Sequence, residues 1–133
     1  MVTFGLTSFG LAQGSETSLK QKFQANLAKA QQGDSSAQCS VGYAYEKGKG
    51  TEKDAEKAFR WYYASAQQGD RVAQLNLGLC YKRGVGVTKD ETQAIVWYQK
   101  SAEQGHATAQ TQLGLTYATD SSGQSVRFCE CFQ

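Results

Sequence analysis

The sequence repeats itself every 36 residues, and a chain that does so has few folds open to it. Gly33, Gly69 and Gly105 share this spacing, as do Ala37, Ala73 and Ala109; Gly42, Gly78 and Gly114; and Tyr45, Tyr81 and Tyr117. Between the first two copies the register also holds at Gly48/Gly84, Gly50/Gly86, Asp54/Asp90, Ala58/Ala94, Trp61/Trp97 and Tyr62/Tyr98. A period of this length marks units that cannot bury an apolar face alone and do so by stacking on their neighbours.

Each unit divides into two helices. Asp34 is a favourable N-cap, and Ala37, Val41, Gly42 and Tyr45 follow at helical spacing, which predicts a helix A over about Ser35 to Lys47. Gly48-Lys49-Gly50 stops it, because glycine tolerates the left-handed conformation that ends helices. Asp54 favours the positive start of helix B, whose stripe is Ala55, Ala58, Phe59, Tyr62 and Ala66, ending at Gly69. Copy two repeats the pattern with Asp70, Ala73, Leu77, Gly78 and Tyr81, then Ala94, Ile95, Trp97, Tyr98 and Ala102, ending at Gly105. A glycine inside a helix costs about 1 kcal/mol against alanine. Three of them at one register (Gly42, Gly78, Gly114) predict a close approach by the backbone of helix B. Tyr45, Tyr81, Trp61 and Trp97 are expected to fill the wider space beside it.

The ends depart from the pattern. Phe23 stands 36 before Phe59, and Gln31-Gln32-Gly33-Asp34 matches Gln67-Gln68-Gly69-Asp70. A lone helix B over about 18–32 is therefore predicted to cap the first repeat. Repeats follow at about 33–68 and 69–104, with an incomplete third at 105–119, so that the repeat domain spans 15–119. The preceding segment 1–14 opens MVTFGLTSFGLA, in which Gly10-Leu11-Ala12 fits a small-x-small cleavage rule but no positive region precedes it. Two readings stand: the end of a secretory signal that starts upstream, which implies a periplasmic or secreted protein, or a disordered N-terminus of a cytoplasmic one. In the irregular tail 120–133, Asp120 and Ser122 occupy the expected glycine positions and no Trp-Tyr helix follows. The third helix A then lacks its partner, as truncation of a longer array would leave it. A monomer is expected, with self-association through this uncapped repeat as the alternative.

An apolar fraction of 40% and a charged fraction of 20% place the chain among soluble globular proteins. Its 14 basic and 12 acidic residues are dispersed, and the absence of a Lys/Arg block argues against nucleic acid as a partner. No run of about 18 apolar residues could span a membrane.

The units read A-Q-x-x-L-G-x-x-Y-x-x-G-x-G, then D-x-x-x-A-x-x-W-Y-x-x-A-A-x-x-G. Copy two shows them best: Ala73-Gln74, Leu77-Gly78, Tyr81, Gly84-Val85-Gly86, then Asp90, Ala94, Trp97-Tyr98, Ser101-Ala102 and Gly105. This pattern resembles Sel1-like repeats over residues 18 to 118. These are relatives of tetratricopeptide repeats, whose unit is about 34 residues long. The resemblance implies an all-α, right-handed α-solenoid of antiparallel helix pairs. It also implies a non-catalytic role as adaptor or scaffold for proteins in signalling, protein quality control or bacterial–host contact. The proline often found after the G-x-G loop is missing here, with Thr51, Glu52 and Thr88 in that neighbourhood and no proline in the chain, which should loosen the loop slightly.

One branch of the family is cysteine-rich, braced by disulfides, and linked to β-lactam binding or hydrolysis; a secreted protein of that kind is the alternative function. Cys39 and Cys80 do not reproduce its spacing. The offset puts Cys80 about 7.5 Å further along its helix, beyond easy reach of a disulfide across helices roughly 8–10 Å apart. Both are expected to be small buried residues. Cys129-x-Cys131 supplies two soft ligands without a nearby histidine, too few for structural zinc. His106 follows Gly105 where the earlier copies carry Asp34 and Asp70, so it reads as a helix-start residue. Gly48-Lys49-Gly50-Thr51 lacks the order of a phosphate loop. No catalytic residue, metal ligand or cofactor is assigned, and an enzyme is not expected.

If helix A lines the concave surface, as in tetratricopeptide solenoids, its outward positions can be counted. They are Ser36, Cys39, Tyr43, Glu46 and Lys47; Val72, Leu75, Leu79, Lys82 and Arg83; and Thr108, Thr111, Leu115 and Ala118. Among them Tyr43, Lys47, Leu75, Leu79, Lys82, Arg83 and Leu115 form the candidate partner-binding groove. Its apolar centre (Leu75, Leu79, Leu115) and basic rim (Lys82, Arg83) suit a protein segment or peptide with an acidic flank. A second reading stays open, in which Leu75 and Leu79 pack against the neighbouring repeat.

Overall fold

Four aspartates set where helices begin. Asp34, Asp54, Asp70 and Asp90 each have extended backbone and accept from an N–H two or three residues on, at 2.9–3.1 Å. His106 takes over this task in the third copy, where the Ala109 N–H donates to its Nδ1 at 3.4 Å. The A helices end at Gly48 and Gly84, both left-handed. The computed structural model describes the backbone of residues 3–119 and the side chains of residues 16–118. It contains α1 Thr3–Gln31, α2 Ser35–Lys47, α3 Ala55–Gln67, α4 Arg71–Arg83, α5 Glu91–Glu103 and α6 Ala107–Thr119, with no strand among the described residues. The expected capping helix over 18–32 is the later part of α1, which starts at Thr3. The tail carrying Cys129 and Cys131 lies outside the described residues. No described helix is long and apolar enough to cross a membrane.

Each helix packs chiefly on the one before and the one after, which makes a right-handed solenoid of antiparallel pairs. The A helices α2, α4 and α6 form one row, joined side by side where Asn76 Nδ2 meets Cys39 Sγ (3.9 Å) and Lys82 Nζ meets Gln112 Oε1 (3.5 Å). The B helices form the other, with the Tyr63 and Trp97 rings edge to face at 6.1 Å. Between repeats, Phe59 of one B helix meets Tyr81 of the next A helix at 5.4 Å, and Phe23 of α1 meets Tyr45 at 5.3 Å, both at 88°. So α1 does for the first repeat what α3 does for the second.

The glycine register is explained by a ring rather than by backbone contact alone. A Cβ on Gly42 would lie 2.7 Å from Tyr62 Cδ1, and one on Gly78 would lie 2.6 Å from both Cδ1 and Cε1 of Tyr98. At Gly78 a helix-B backbone atom also comes near, the Ala94 carbonyl at 3.2 Å. Tyr62 and Tyr98 are the largest fully buried side chains, whereas Tyr45, Tyr81 and Trp61 are half-buried. Tyr45, Tyr81 and Trp61, expected beside this contact, pack against the core clusters from half-buried positions, and Trp97 is buried.

A ladder of amides runs beside the rings. Gln38, Gln74 and Gln110 donate to the carbonyls of Ala30, Ala66 and Ala102 near the end of the preceding B helix, at 3.1–3.3 Å. Gln68 and Gln104 in turn donate to Gln38 and Gln74 at 2.7 Å. Ser65 and Ser101, both fully buried, donate to the carbonyls of Ser35 and Arg71 at 2.6 Å. These bonds satisfy buried polar groups and hold each B helix at a set height against its A helix.

Candidate functional site

Seating the tyrosine ring decides which side of each A helix is turned outward. Gly42 and Gly78 face their own B helix, and the opposite positions of α2, α4 and α6 form a continuous face. On it Tyr43 and Val72 are each 43% exposed and Leu115 is 51% exposed. Ser36, Lys47, Arg83, Thr108, Thr111 and Ala118 are exposed, and Glu46, Leu79 and Lys82 are half-buried.

Three of the counted positions, Leu75, Leu79 and Cys39, do not stand free on this face. Leu75 is only 6% exposed and packs with Ala94, Tyr98, Ala102, Ala109 and Leu113. Leu79 leans on the same cluster, so the expected apolar centre of the groove is reduced to Leu115 together with Tyr43 and Val72. Cys39 is likewise buried, in the cluster around Tyr62 and Leu77. The physical reason is that an A helix packs first on its own B helix and second on its other neighbours, the preceding B helix and the adjacent A helices. A half-turn count from the first contact ignores the second.

At the N-terminal end of the face the structure forms a cleft of about 490 Å³. α2 provides its floor with Ser36, Cys39, Ser40 and Tyr43; α1 contributes Leu19, Lys22, Phe23 and Asn26; and Asp70, Val72 and Asn76 close it from the start of α4. Lys49 reaches over the Tyr43 ring, its Nζ 5.1 Å from the centroid. Leu19 is 44% exposed, so three large apolar side chains meet water around one cleft that also carries Lys22 and Lys49 against Asp70. The α1 wall was not foreseen, although the 36-residue alignment carries its signal. Lys22 and Asn26 stand at the positions of buried Ala58 and Tyr62, polar where the other B helices pack against an A helix.

Groups able to do covalent chemistry are muted. Cys39 and Cys80 are free, and burial raises each thiol from 9.0 to about 12, with Asp70 adding to the rise at Cys39 and Glu46 at Cys80. Neither is a thiolate near neutrality. Among the described residues no group of three or more His, Cys, Asp or Glu is placed to hold a metal ion. Lys49 sits just past the left-handed Gly48 cap, in a loop that serves as a helix stop. The arrangement can offer shape, apolar contact and positive charge.

Comparison with known proteins agrees with this reading of the fold. The model of the Sel1 repeat matches residues 35–70 and 71–106. A solved Sel1 repeat protein from Oxalobacter formigenes is 40% identical, with a TM-score of 0.71 over 83% of this chain and 44% of that one. The protective antigen c5321 of uropathogenic Escherichia coli, which displays an SLR fold, is 29% identical with a TM-score of 0.75, over 86% of this chain and 28% of its own. This chain therefore spans less than half the length of either. Cysteine rich protein B of Helicobacter pylori shares the fold at 24% identity and a TM-score of 0.64, over 82% of this chain and 95% of that one. No curated protein matches.

Proposed function

The chain belongs to the Sel1 repeat family, whose repeats generally serve as protein-interaction scaffolds and are generally non-catalytic, and from that premise we propose that it holds an extended segment of another protein along the outward face of α2, α4 and α6. The cleft between α1, α2 and α4 is the anchoring point. The observation that carries this reading is the grouping of Leu19, Tyr43 and Val72, each more than two-fifths exposed, around one concavity. Single exposed apolar residues are ordinary, but several lining a cleft mark a contact surface. A volume of about 490 Å³ is in the usual range of ligand pockets and takes a few side chains rather than a whole domain. Tyrosine suits such a place because it offers a large rigid contact with little rotamer freedom to lose.

The test is selection of peptides from a random displayed library against the intact chain. The proposal expects an enriched consensus with an apolar or aromatic anchor, whose affinity falls about tenfold or more in Tyr43→Ala, as loss of an aromatic hot spot does. No enrichment, or a consensus indifferent both to Tyr43→Ala and to Val72→Glu, overturns it.

A further inference from the structure

The two complete repeats differ at one buried contact. In the first, Tyr62 Oη donates to Glu46 Oε2 at 2.6 Å. In the second, Tyr98 is equally buried at 0% exposure, but the position of Glu46 is held by Lys82, and among the described residues Tyr98 Oη has no hydrogen-bond partner. An ammonium group donates only, so Lys82 cannot take the place of the carboxylate. It donates instead to Gln112 at 3.5 Å, a long contact that is readily given up. Arg83 is close enough for its charge to act on the Tyr98 hydroxyl, and it is exposed. Beside Lys82 is a small cavity of about 40 Å³, lined also by Glu91, Ala94 and Thr116. The Glu91 carboxylate is 67% exposed and lies 3.8 Å from Lys89, so it is already engaged outward.

We propose that the second repeat is an acid-recognition subsite of the same groove, where a glutamate or aspartate of the bound protein segment supplies the carboxylate that Glu46 supplies within the first repeat. The incoming carboxylate accepts from Tyr98 Oη, and Lys82, swung away from Gln112, pairs with it alongside Arg83. A buried hydroxyl without an acceptor among the described residues, with Arg83 near it and Lys82 at the position equivalent to Glu46, selects an anion over a neutral group, because a charge-assisted bond to such a hydroxyl is strong in a poorly hydrated place. In the first repeat the same position is closed, since Glu46 occupies it and pairs with Lys47 at 3.2 Å. The segment is thereby set in register, its anchor at the Tyr43 cleft and its acid at Tyr98. This inference rests on the groove reading and adds the chemistry and placement of the partner.

Acetylated hexaglutamate and its hexaglutamine counterpart are suitable probes, titrated by fluorescence anisotropy into the intact chain and three variants. Native protein is expected to favour hexaglutamate at least about tenfold, and Tyr98→Phe to lose about that factor while the circular-dichroism spectrum is unchanged. Lys82→Glu recreates the Tyr62–Glu46 pair, so it should raise the melting temperature and abolish the preference. Lys57→Glu, on an exposed B-helix residue that lowers the net charge equally, should keep it. Equal binding of the two probes, or a preference that survives Tyr98→Phe or Lys82→Glu, overturns the subsite. Peptides selected from the random library separate the two ideas. If they bind through Tyr43 and carry no acid, the subsite falls and the groove stands; if none bind, the groove itself falls.

Discussion

Replacing Gly78 by alanine adds one methyl group, and the structure specifies what it meets. The new Cβ would lie 2.6 Å from two carbons of the Tyr98 ring, well inside contact distance, and 3.2 Å from the Ala94 carbonyl. The ring cannot swing aside, because Tyr98 is fully buried among Leu75, Ala94, Ala102, Ala109 and Leu113. Overpacking of this kind costs ~1–3 kcal/mol, and an overlap with the middle of a ring belongs at the upper end. Exchanging a helical glycine for alanine gives back about 1 kcal/mol in propensity. The expected net loss is ~1–2 kcal/mol, a fall of roughly 3–10 °C in melting temperature for a domain of this size. Urea unfolding followed by circular dichroism at 222 nm measures it. In a Tyr98→Leu background the ring overlap is gone while the propensity gain and the tight Ala94 carbonyl contact remain, so the same substitution should be near neutral, within about 1 kcal/mol. Gly78→Ala that is neutral or stabilising in the native chain, or equally harmful in both backgrounds, would refute the ring-in-notch packing.

Three further outcomes follow from named contacts. Leu75→Glu buries a charge in the cluster around Tyr98 and should unfold the second and third repeats, whereas Leu115→Glu, at 51% exposure, should stay within about 0.5 kcal/mol of the native chain in the same urea assay. Asp70→Ala removes a cap that accepts from both Val72 and Ala73 at 2.9 Å and should cost ~1 kcal/mol by thermal melting, with the helix α4 amides exchanging faster. Burial holds the Cys39 and Cys80 thiols at about 12 while their unfolded value is 9.0, so between these limits the unfolded chain binds fewer protons and stability falls as pH rises. Below pH 9 that contribution is fully present, and a urea midpoint that holds steady from pH 9 to 11 would contradict it.

Much of this architecture is readable in the residues. Asp34, Asp54, Asp70 and Asp90 mark helix starts and Gly48 and Gly84 mark ends by local chemistry that needs no tertiary context, which is why helix A could be bounded at Ser35 and Lys47. The notch glycines were legible as a close approach, but a repeated glycine does not say whether backbone or ring arrives. Gln38, Gln74 and Gln110 recur at the period as well, yet a glutamine looks like a surface residue until the Ala30, Ala66 and Ala102 carbonyls are placed beside it. On the outward face, Tyr43 and Leu115 are exposed where counting outward from the buried stripe puts them. Leu75 was misplaced because counting along one helix takes no account of α6 packed on its flank. The α1 wall of the cleft and the Tyr98–Lys82 mismatch become visible only when the copies are compared for their differences.

Everything said of the outward face depends on the tyrosines of the B helices sitting in the glycines of the A helices, since that register turns Tyr43, Val72 and Leu115 away from the core. A nuclear Overhauser spectrum of the labelled chain measures it directly. The account requires strong cross-peaks from the Gly42 α-protons to the Tyr62 ring and from the Gly78 α-protons to the Tyr98 ring. Gly42 and Gly78 α-protons that show no cross-peak to the Tyr62 and Tyr98 rings would contradict it.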